Sequence, residues 1–170
     1  MVRHVLIPLD GSQLAEKALP IARHVIQTGT RITLLTAIPS PTPPIYAYPS
    51  ADVLHEIEED SHYLEKAKPS AQAYLERVAH NLRLQGYTVE IKLTPGDPAE
   101  SIIQVAEQLR VDMIVISTHG RSGLSRFLFG SVTLKVLQAS AVPVLVVPNR
   151  EREEAEDTEP ASTTGHSLAT

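Results

Sequence analysis

The chain has 170 residues, 42% of them apolar, with no cysteine and a formal net charge of −5. This length suits a single α/β domain, and the lack of cysteine excludes disulfides and thiolate metal sites, which is compatible with a reducing cytoplasm. No apolar run approaches a membrane span and no signal-peptide core is present, so we expect a cytoplasmic protein without a membrane partner.

The negative charge is concentrated at the C-terminus. Residues 151–170 contain six acidic residues and one basic residue, which leaves the rest of the chain balanced. A neutral domain has no electrostatic attraction for nucleic acid, so we expect no nucleic-acid partner. The terminal segment cannot bury enough apolar area to offset its ordering entropy. We therefore expect a folded domain over residues 1–149 and a disordered acidic tail over residues 150–170, a solubilising extension rather than a docking tail.

The first segment predicts a strand, a turn and a helix. Val2 to Leu9 is typical of a buried strand, and Asp10-Gly11-Ser12 breaks it. Ser12 is placed to cap a helix from Gln13 to Thr28, which Gly29 ends. This order is the start of a βα unit.

The next segment predicts a second strand and a long helix. Arg31 to Ile38 has the strand pattern, and the proline-rich residues that follow indicate an irregular surface loop. A polar helical tract runs from about Ala51 to Gln85, and Pro69 is expected to kink or divide it.

Alternating residues from Tyr87 to Leu93 predict a third strand with one wetter face, which suits a sheet edge. Asp97-Pro98-Ala99-Glu100 predicts a helix start, because it combines an Asp cap, a proline at the first helical position and an early glutamate. The helix is expected to extend from Pro98 to Leu109.

The last segment predicts a strand at Met113 to Ile116, a helix at Ser131 to Ala139 and a final strand at Val142 to Val147. Pro143 has no backbone N–H to donate to a neighbouring strand, so it favours an edge position or a strand start. Five strands that alternate with helices predict a three-layer, doubly wound α/β fold with a mostly parallel sheet.

A glycine-rich loop joins the fourth strand to the last helix. Its glycines, Gly120, Gly123 and Gly130, allow backbone N–H groups to approach an anion, and Ser131 begins a helix whose dipole favours phosphate. The spacing matches neither the Walker loop nor the dinucleotide-binding loop. The sequence therefore predicts a phosphate loop of another type.

A second candidate feature lies after the first strand. Ligands of open α/β sheets bind beyond the carboxyl ends of strands, where the winding reverses. If the first and fourth strands are neighbours, Asp10 faces the glycine loop and could accept hydrogen bonds from ribose hydroxyls. Asp10 could also be only a turn former in Asp-Gly-Ser, but its pairing with the loop favours a ligand role.

Taken together, these segments resemble the universal stress protein family over about Val2 to Pro148, and the loop resembles that family's G-x2-G-x9-G-[ST] motif. The resemblance implies a Rossmann-like fold of the adenine nucleotide alpha hydrolase type, with strand order 3-2-1-4-5. It also implies an adenine nucleotide ligand, ATP or else AMP or ADP, accompanied by Mg²⁺ with unassigned ligands. The residues expected to contact the nucleotide are Pro8, Leu9, Asp10, Ala37, Ile116, Ser117, Thr118, His119, Gly120, Arg121, Gly123, Gly130, Ser131, Val132 and Thr133.

One position departs from the motif, because Ser117 stands where its first glycine would be. A Cβ there could crowd a phosphate or forbid a positive φ, whereas a serine in β geometry could donate its hydroxyl. We expect binding to survive. Arg121 and Arg126 could either contact phosphate or face solvent, and His119 is expected to have a structural role rather than to act as a general base.

Three functions follow. The first is an ATP-binding regulatory protein of the stress response, a nucleotide-dependent switch. The second is a dimeric interaction module that does not bind nucleotide, since the family commonly pairs through its last strand, here Val142 to Val147. The third is a slow ATPase, but no supported catalytic residue is evident, so we expect at most weak hydrolysis.

Overall fold

The computed structural model describes residues 1–39, 53–118 and 130–148. Its strands are β1 (His4–Pro8), β2 (Arg31–Ile38), β3 (Thr88–Pro95), β4 (Met113–Thr118) and β5 (Val144–Pro148). Its helices are α1 (Gln13–Glu16), α2 (Ala18–Val25), α3 (Val53–Leu84), α4 (Pro98–Gln108) and α5 (Ser131–Ala139). The strands form one sheet in the order β3-β2-β1-β4-β5, and every neighbouring pair is parallel. The predicted fold class and strand order are confirmed.

Two apolar layers cover the two faces of this sheet. On one face, α2 and α3 pack against β1 and β2, with Ile7 and Leu75 fully buried. On the other face, α4 and α5 pack against the same sheet around Leu6 and Val136. Because β1 is buried on both faces, its residues 5–8 form a continuous apolar run rather than an alternating one. Within the described residues, no helix is both long and apolar enough to cross a membrane.

The helix predicted from Gln13 to Thr28 is wrong in its extent, because the chain forms two shorter helices, α1 and α2, that meet at Lys17. Pro20 has no N–H to donate to the carbonyl of Glu16, so the hydrogen-bond ladder is incomplete at this junction. The chain becomes extended at Ile26, before the predicted end. The predicted cap is confirmed, since the Ser12 side chain accepts from the N–H of Ala15 at 3.1 Å.

A kink or a division was predicted at Pro69, and the division is wrong, because α3 is one helix of 32 residues, Val53–Leu84, that contains Pro69. Pro69 removes the donor for the carbonyl of Glu65, and both residues are exposed. Water can therefore bond that carbonyl, which makes an exposed proline less disruptive than a buried one.

Both predicted sheet edges are confirmed, with β3 at one side and β5 at the other. The predicted start of α4 is confirmed as well, since Asp97 accepts from two N–H groups of its first turn. The apolar residues of α5 are less buried than their spacing suggests, because Leu134 and Leu137 are 41% and 37% exposed.

At the opposite end of the strands from the predicted site, a buried histidine joins β1 to its neighbours. The Asp112 carboxylate accepts from the backbone N–H groups of Arg3 and His4 at 2.7 and 2.9 Å. The His4 ring is hydrogen-bonded through Nε2 to Thr33 Oγ1 at 2.8 Å. Burial first, then the charge of Arg31, lowers the pKa of His4, although Glu90 and Asp112 oppose this shift.

The lowered pKa predicts that stability falls with acidification. The fold disfavours the protonated form of His4, so the unfolded chain binds more protons as the pH drops through about 6.5, the ordinary histidine value. Its contribution is therefore complete above that pH and is lost below it. We expect the free energy of unfolding in urea to fall less between pH 7.5 and pH 5 in His4→Gln than in the unmodified chain. An exposed-histidine control, His80→Gln, should retain the full loss; equal slopes for His4→Gln and the unmodified chain would contradict this assignment.

Candidate functional site

The candidate site lies at the carboxyl ends of β1 and β4, which are neighbours in the sheet. The chain leaves β1 toward the face covered by α1 and α2, and it leaves β4 toward the face covered by α5, so the winding reverses here. Such a reversal opens a crevice in a doubly wound sheet. A cavity of about 290 Å³ occupies this position. The described residues that line it are Pro8, Leu9, Asp10, Ala15, Leu35, Ala37, Pro98, Ile102, Ile116, Ser117, Gly130, Ser131, Val132 and Thr133.

Asp10 supplies the only charged side chain among these described lining residues. Its Oδ1 accepts from Ser12 N–H at 2.9 Å and from the Ser12 hydroxyl at 2.6 Å. Gly11, with φ of +85°, makes the tight turn that these two bonds require. Both hydrogen bonds that the described residues make to the Asp10 carboxylate go to Oδ1, and Asp10 is exposed. One carboxylate oxygen is therefore fixed and the other is available to accept from a ligand hydroxyl.

The N-terminus of α5 forms another wall of the cavity and has no side-chain cap. Gly130 occupies the cap position, and its N–H donates to Thr118 Oγ1 at 3.1 Å. The first helical bond runs from Leu134 N–H to the Gly130 carbonyl at 2.9 Å. The N–H groups of residues 131–133 therefore have no carbonyl partner within α5, and these three residues line the cavity. An uncapped helix N-terminus of this kind favours an anion.

The neighbouring helix α4 shows the contrast. Asp97 accepts from the N–H groups of Ala99 and Glu100 at 2.9 and 3.1 Å, and Lys135 Nζ lies 3.3 Å from its other oxygen. The Glu100 N–H, with a smaller contribution from Lys135, lowers the pKa of Asp97. The start of α4 thus already carries a protein carboxylate, whereas the start of α5 has its N–H groups open to a ligand.

Apolar side chains form much of the remaining wall. Leu35 and Ala37 come from the carboxyl end of β2, and Pro98 and Ile102 come from the first turns of α4. Their spacing explains why they meet, because residues two apart share a face of a strand and residues four apart share a face of a helix. A wall of this composition suits the flat, largely apolar surface of a purine base.

The structure brings together ten of the predicted site residues in this lining; they are Pro8, Leu9, Asp10, Ala37, Ile116, Ser117, Gly130, Ser131, Val132 and Thr133. Thr118 does not line the cavity but supports it by holding the Gly130 N–H. The predictions for His119, Gly120, Arg121, Gly123 and Arg126 lie outside the described residues, as do those for the tail. Sequence reasoning missed Ala15, Leu35, Pro98 and Ile102. Leu35 could have been found from the predicted Ala37, because the two residues share one face of β2.

Ser117, the departure from the motif, lies in β4, and among the described residues other than glycine only Arg110 has a positive φ. The backbone at Ser117 is therefore one that any residue adopts. Its hydroxyl is buried and has no hydrogen-bond partner in the described structure. No group of three or more His, Asp or Glu side chains in the described segments is placed to hold a metal ion.

Comparisons with known proteins give one family. The family model described as the universal stress protein family matches residues 1–148. A universal stress protein of Methanocaldococcus jannaschii, MJ0531, is 29% identical over 160 residues, which cover 90% of this chain and 86% of that protein. The Bacillus subtilis universal stress protein YxiE is 30% identical over 157 residues, which cover 86% of this chain and 99% of that protein.

Solved structures show the same fold. The structure of MJ0577, also from Methanocaldococcus jannaschii, superposes with a TM-score of 0.70 at 29% identity and covers 88% of this chain and 98% of that one. The universal stress protein UspA of Lactobacillus plantarum superposes with a TM-score of 0.68 at 20% identity and covers 86% of this chain and 97% of that one.

Proposed function

Because the chain belongs to the universal stress protein family, we propose that it is a cytoplasmic, stress-response regulatory protein that binds an adenine nucleotide in the cavity beyond β1 and β4. The observation that carries this proposal is the pairing of Asp10 with the uncapped N-terminus of α5 across one cavity. A nucleotide has groups that complement both features.

The cavity wall has a complementary region for each part of a nucleotide. The free oxygen of Asp10 would accept from ribose hydroxyls, and the N–H groups of residues 131–133 would donate to phosphate oxygens. The base would lie against the apolar wall near Ala37. Mg²⁺ would accompany ATP and would be bound chiefly by the phosphates, in keeping with its preference for few protein ligands.

The arrangement favours holding a nucleotide over cleaving it. Hydrolysis of the γ-phosphate requires a positioned water and charge stabilisation at the transferred group. Asp10 belongs to the ribose end of the proposed complex, and the described lining contains no second acid or base. Regulation would then arise from a difference in affinity for ATP between two conformations of the protein.

The deciding experiment is a direct search for nucleotide. Protein purified from cells and then denatured should release adenine nucleotide on an anion-exchange column, or the purified protein should bind added ATP with micromolar affinity in calorimetry. Failure of both assays would overturn the proposal and favour the dimeric interaction module. Steady ADP release that survives repurification and disappears in a Gly130→Val variant would instead support the slow ATPase.

We also propose that the protein forms a homodimer by pairing β5 strands, because β5 is an edge strand with partly buried valines. The Pro143 carbonyl accepts from Ile114 N–H at 2.9 Å, which directs residues 143 and 145 toward β4. Backbone groups alternate along a strand, so Val144 and Val146 direct their N–H groups away from the sheet.

This alternation predicts the effect of proline on assembly. Val146→Pro should remove an outward donor while leaving the bonds to β4, and an edge strand tolerates proline. We expect light scattering coupled to size exclusion to show a dimer for the unmodified chain and a folded monomer for Val146→Pro. A conservative control, Val146→Thr, should remain dimeric. A monomeric unmodified chain, or a dimeric proline variant, would contradict pairing through β5.

A further inference from the structure

The hydroxyl of Ser117 is a polar group that the free protein leaves without a role. Its Oγ is buried and no described residue bonds it, although nearly all buried polar groups in proteins have a partner. The next residue, Thr118, uses its own hydroxyl to hold the Gly130 N–H. The described bond that holds the start of α5 is therefore made by Thr118, and the Ser117 hydroxyl takes no part in it.

The position of Ser117 points to a ligand as its partner. Ser117 lines the cavity, on the strand that is the direct neighbour of the one leading to Asp10. Through Thr118 it is also one residue from the group that anchors the N-terminus of α5. It thus stands between the proposed ribose site and the proposed phosphate site, where the α-phosphate joins the sugar to the rest of the nucleotide.

We propose that Ser117 is a nucleotide-binding residue whose hydroxyl donates a hydrogen bond to an α-phosphate oxygen. This inference rests on the proposed function and deepens it, since it gives the serine a role that a glycine cannot have. The extended backbone of β4 makes this possible, because no positive φ is required at the position. Ser117 itself lines the cavity, so its hydroxyl is close to the space that the nucleotide is proposed to occupy.

The test compares two opposite effects of Ser117→Ala. In the free protein, removal of an unbonded buried hydroxyl should leave the melting temperature unchanged or raise it. In calorimetry, ATP and AMP should bind more weakly by about 10- to 100-fold, the range for a hydrogen bond to a charged group. Adenosine, which lacks the phosphate, should bind the variant and the unmodified chain equally. A purely structural serine would lower the melting temperature and would not separate AMP from adenosine.

Two more variants complete the design. Ser117→Thr, which keeps the hydroxyl, should recover part of the lost AMP affinity, whereas Ser117→Gly, which restores the motif residue, should bind AMP as weakly as the alanine variant. Tighter binding by the glycine variant than by the unmodified chain would show that the serine obstructs phosphate and would overturn the inference. Equal ATP affinity of the unmodified chain and Ser117→Ala would overturn it while leaving the proposed function intact. No binding by the unmodified chain would overturn both.

Discussion

A Gly130→Val variant is expected to bind nucleotide at least about 100-fold more weakly while keeping its fold. Loss of two hydrogen bonds to a charged phosphate would produce a decrease of this size. Gly130 has φ of −66° and ψ of 160°, an extended conformation that valine adopts without strain. Gly130 lines the cavity, so a valine side chain at this position is expected to narrow the space where phosphate is proposed to meet the N–H groups of α5. The loss therefore falls on the ligand rather than on the backbone.

A small cost to the fold is expected as well. Valine is a poorer cap residue than glycine, which corresponds to about 1 kcal/mol and to a fall in melting temperature of about 2–4 °C. Gln138→Val is the matched control, because it places the same side chain at an exposed position in the last turn of α5. The control should bind ATP as the unmodified chain does. Full ATP affinity in Gly130→Val would show that this terminus is not the phosphate site.

The sheet could be predicted from the sequence because its strands carry their own signal. The run of residues 5–8 is apolar on both faces, and such a run indicates a central parallel strand. The alternation from Val89 onward and the proline at position 143 each indicate an edge, where one side of a strand lacks a neighbour. Strand and edge signals are local, so they can be recognised without knowledge of the tertiary structure.

The helix errors have a different origin, since the effect of a proline depends on its surroundings. Pro20 coincides with a junction between two short helices, whereas Pro69 lies inside a continuous one. The exposure of Pro69 allows water to replace the missing bond, and exposure is a property of the folded chain. No local pattern distinguishes the two prolines.

The site could be predicted in part, for a related reason. Asp10 and Gly130 are more than one hundred residues apart, yet the rule that ligands bind at a reversal of winding predicted that they share a crevice. The packing of α4 over the end of β2 was not predictable in this way, so Pro98 and Ile102 were missed. The unbonded state of the Ser117 hydroxyl is likewise visible only once its neighbours are placed.

The second large effect is expected from Asp10→Ala, which should weaken ATP binding by about 10- to 100-fold through loss of a charge-assisted acceptor for the ribose. An opposing effect exists, since a carboxylate near a polyphosphate repels it. Mg²⁺ bound to the phosphates would offset much of that repulsion, whereas the lost hydrogen bond to a charged group is worth about 1.5–3 kcal/mol. The net change is therefore a loss.

A sugar analogue isolates the ribose contact from the charge effect. The unmodified chain should prefer ATP to 2′,3′-dideoxy-ATP by about tenfold or more, and Asp10→Ala should bind the two nucleotides equally, because the acceptor for the missing hydroxyls is gone. Glu16→Gln removes an acid from the neighbouring helix without touching the cavity lining, so it should keep the preference. If Asp10→Ala retained it too, the Oδ2 oxygen left open by Ser12 would not be the ribose acceptor, and the turn would serve only to begin α1.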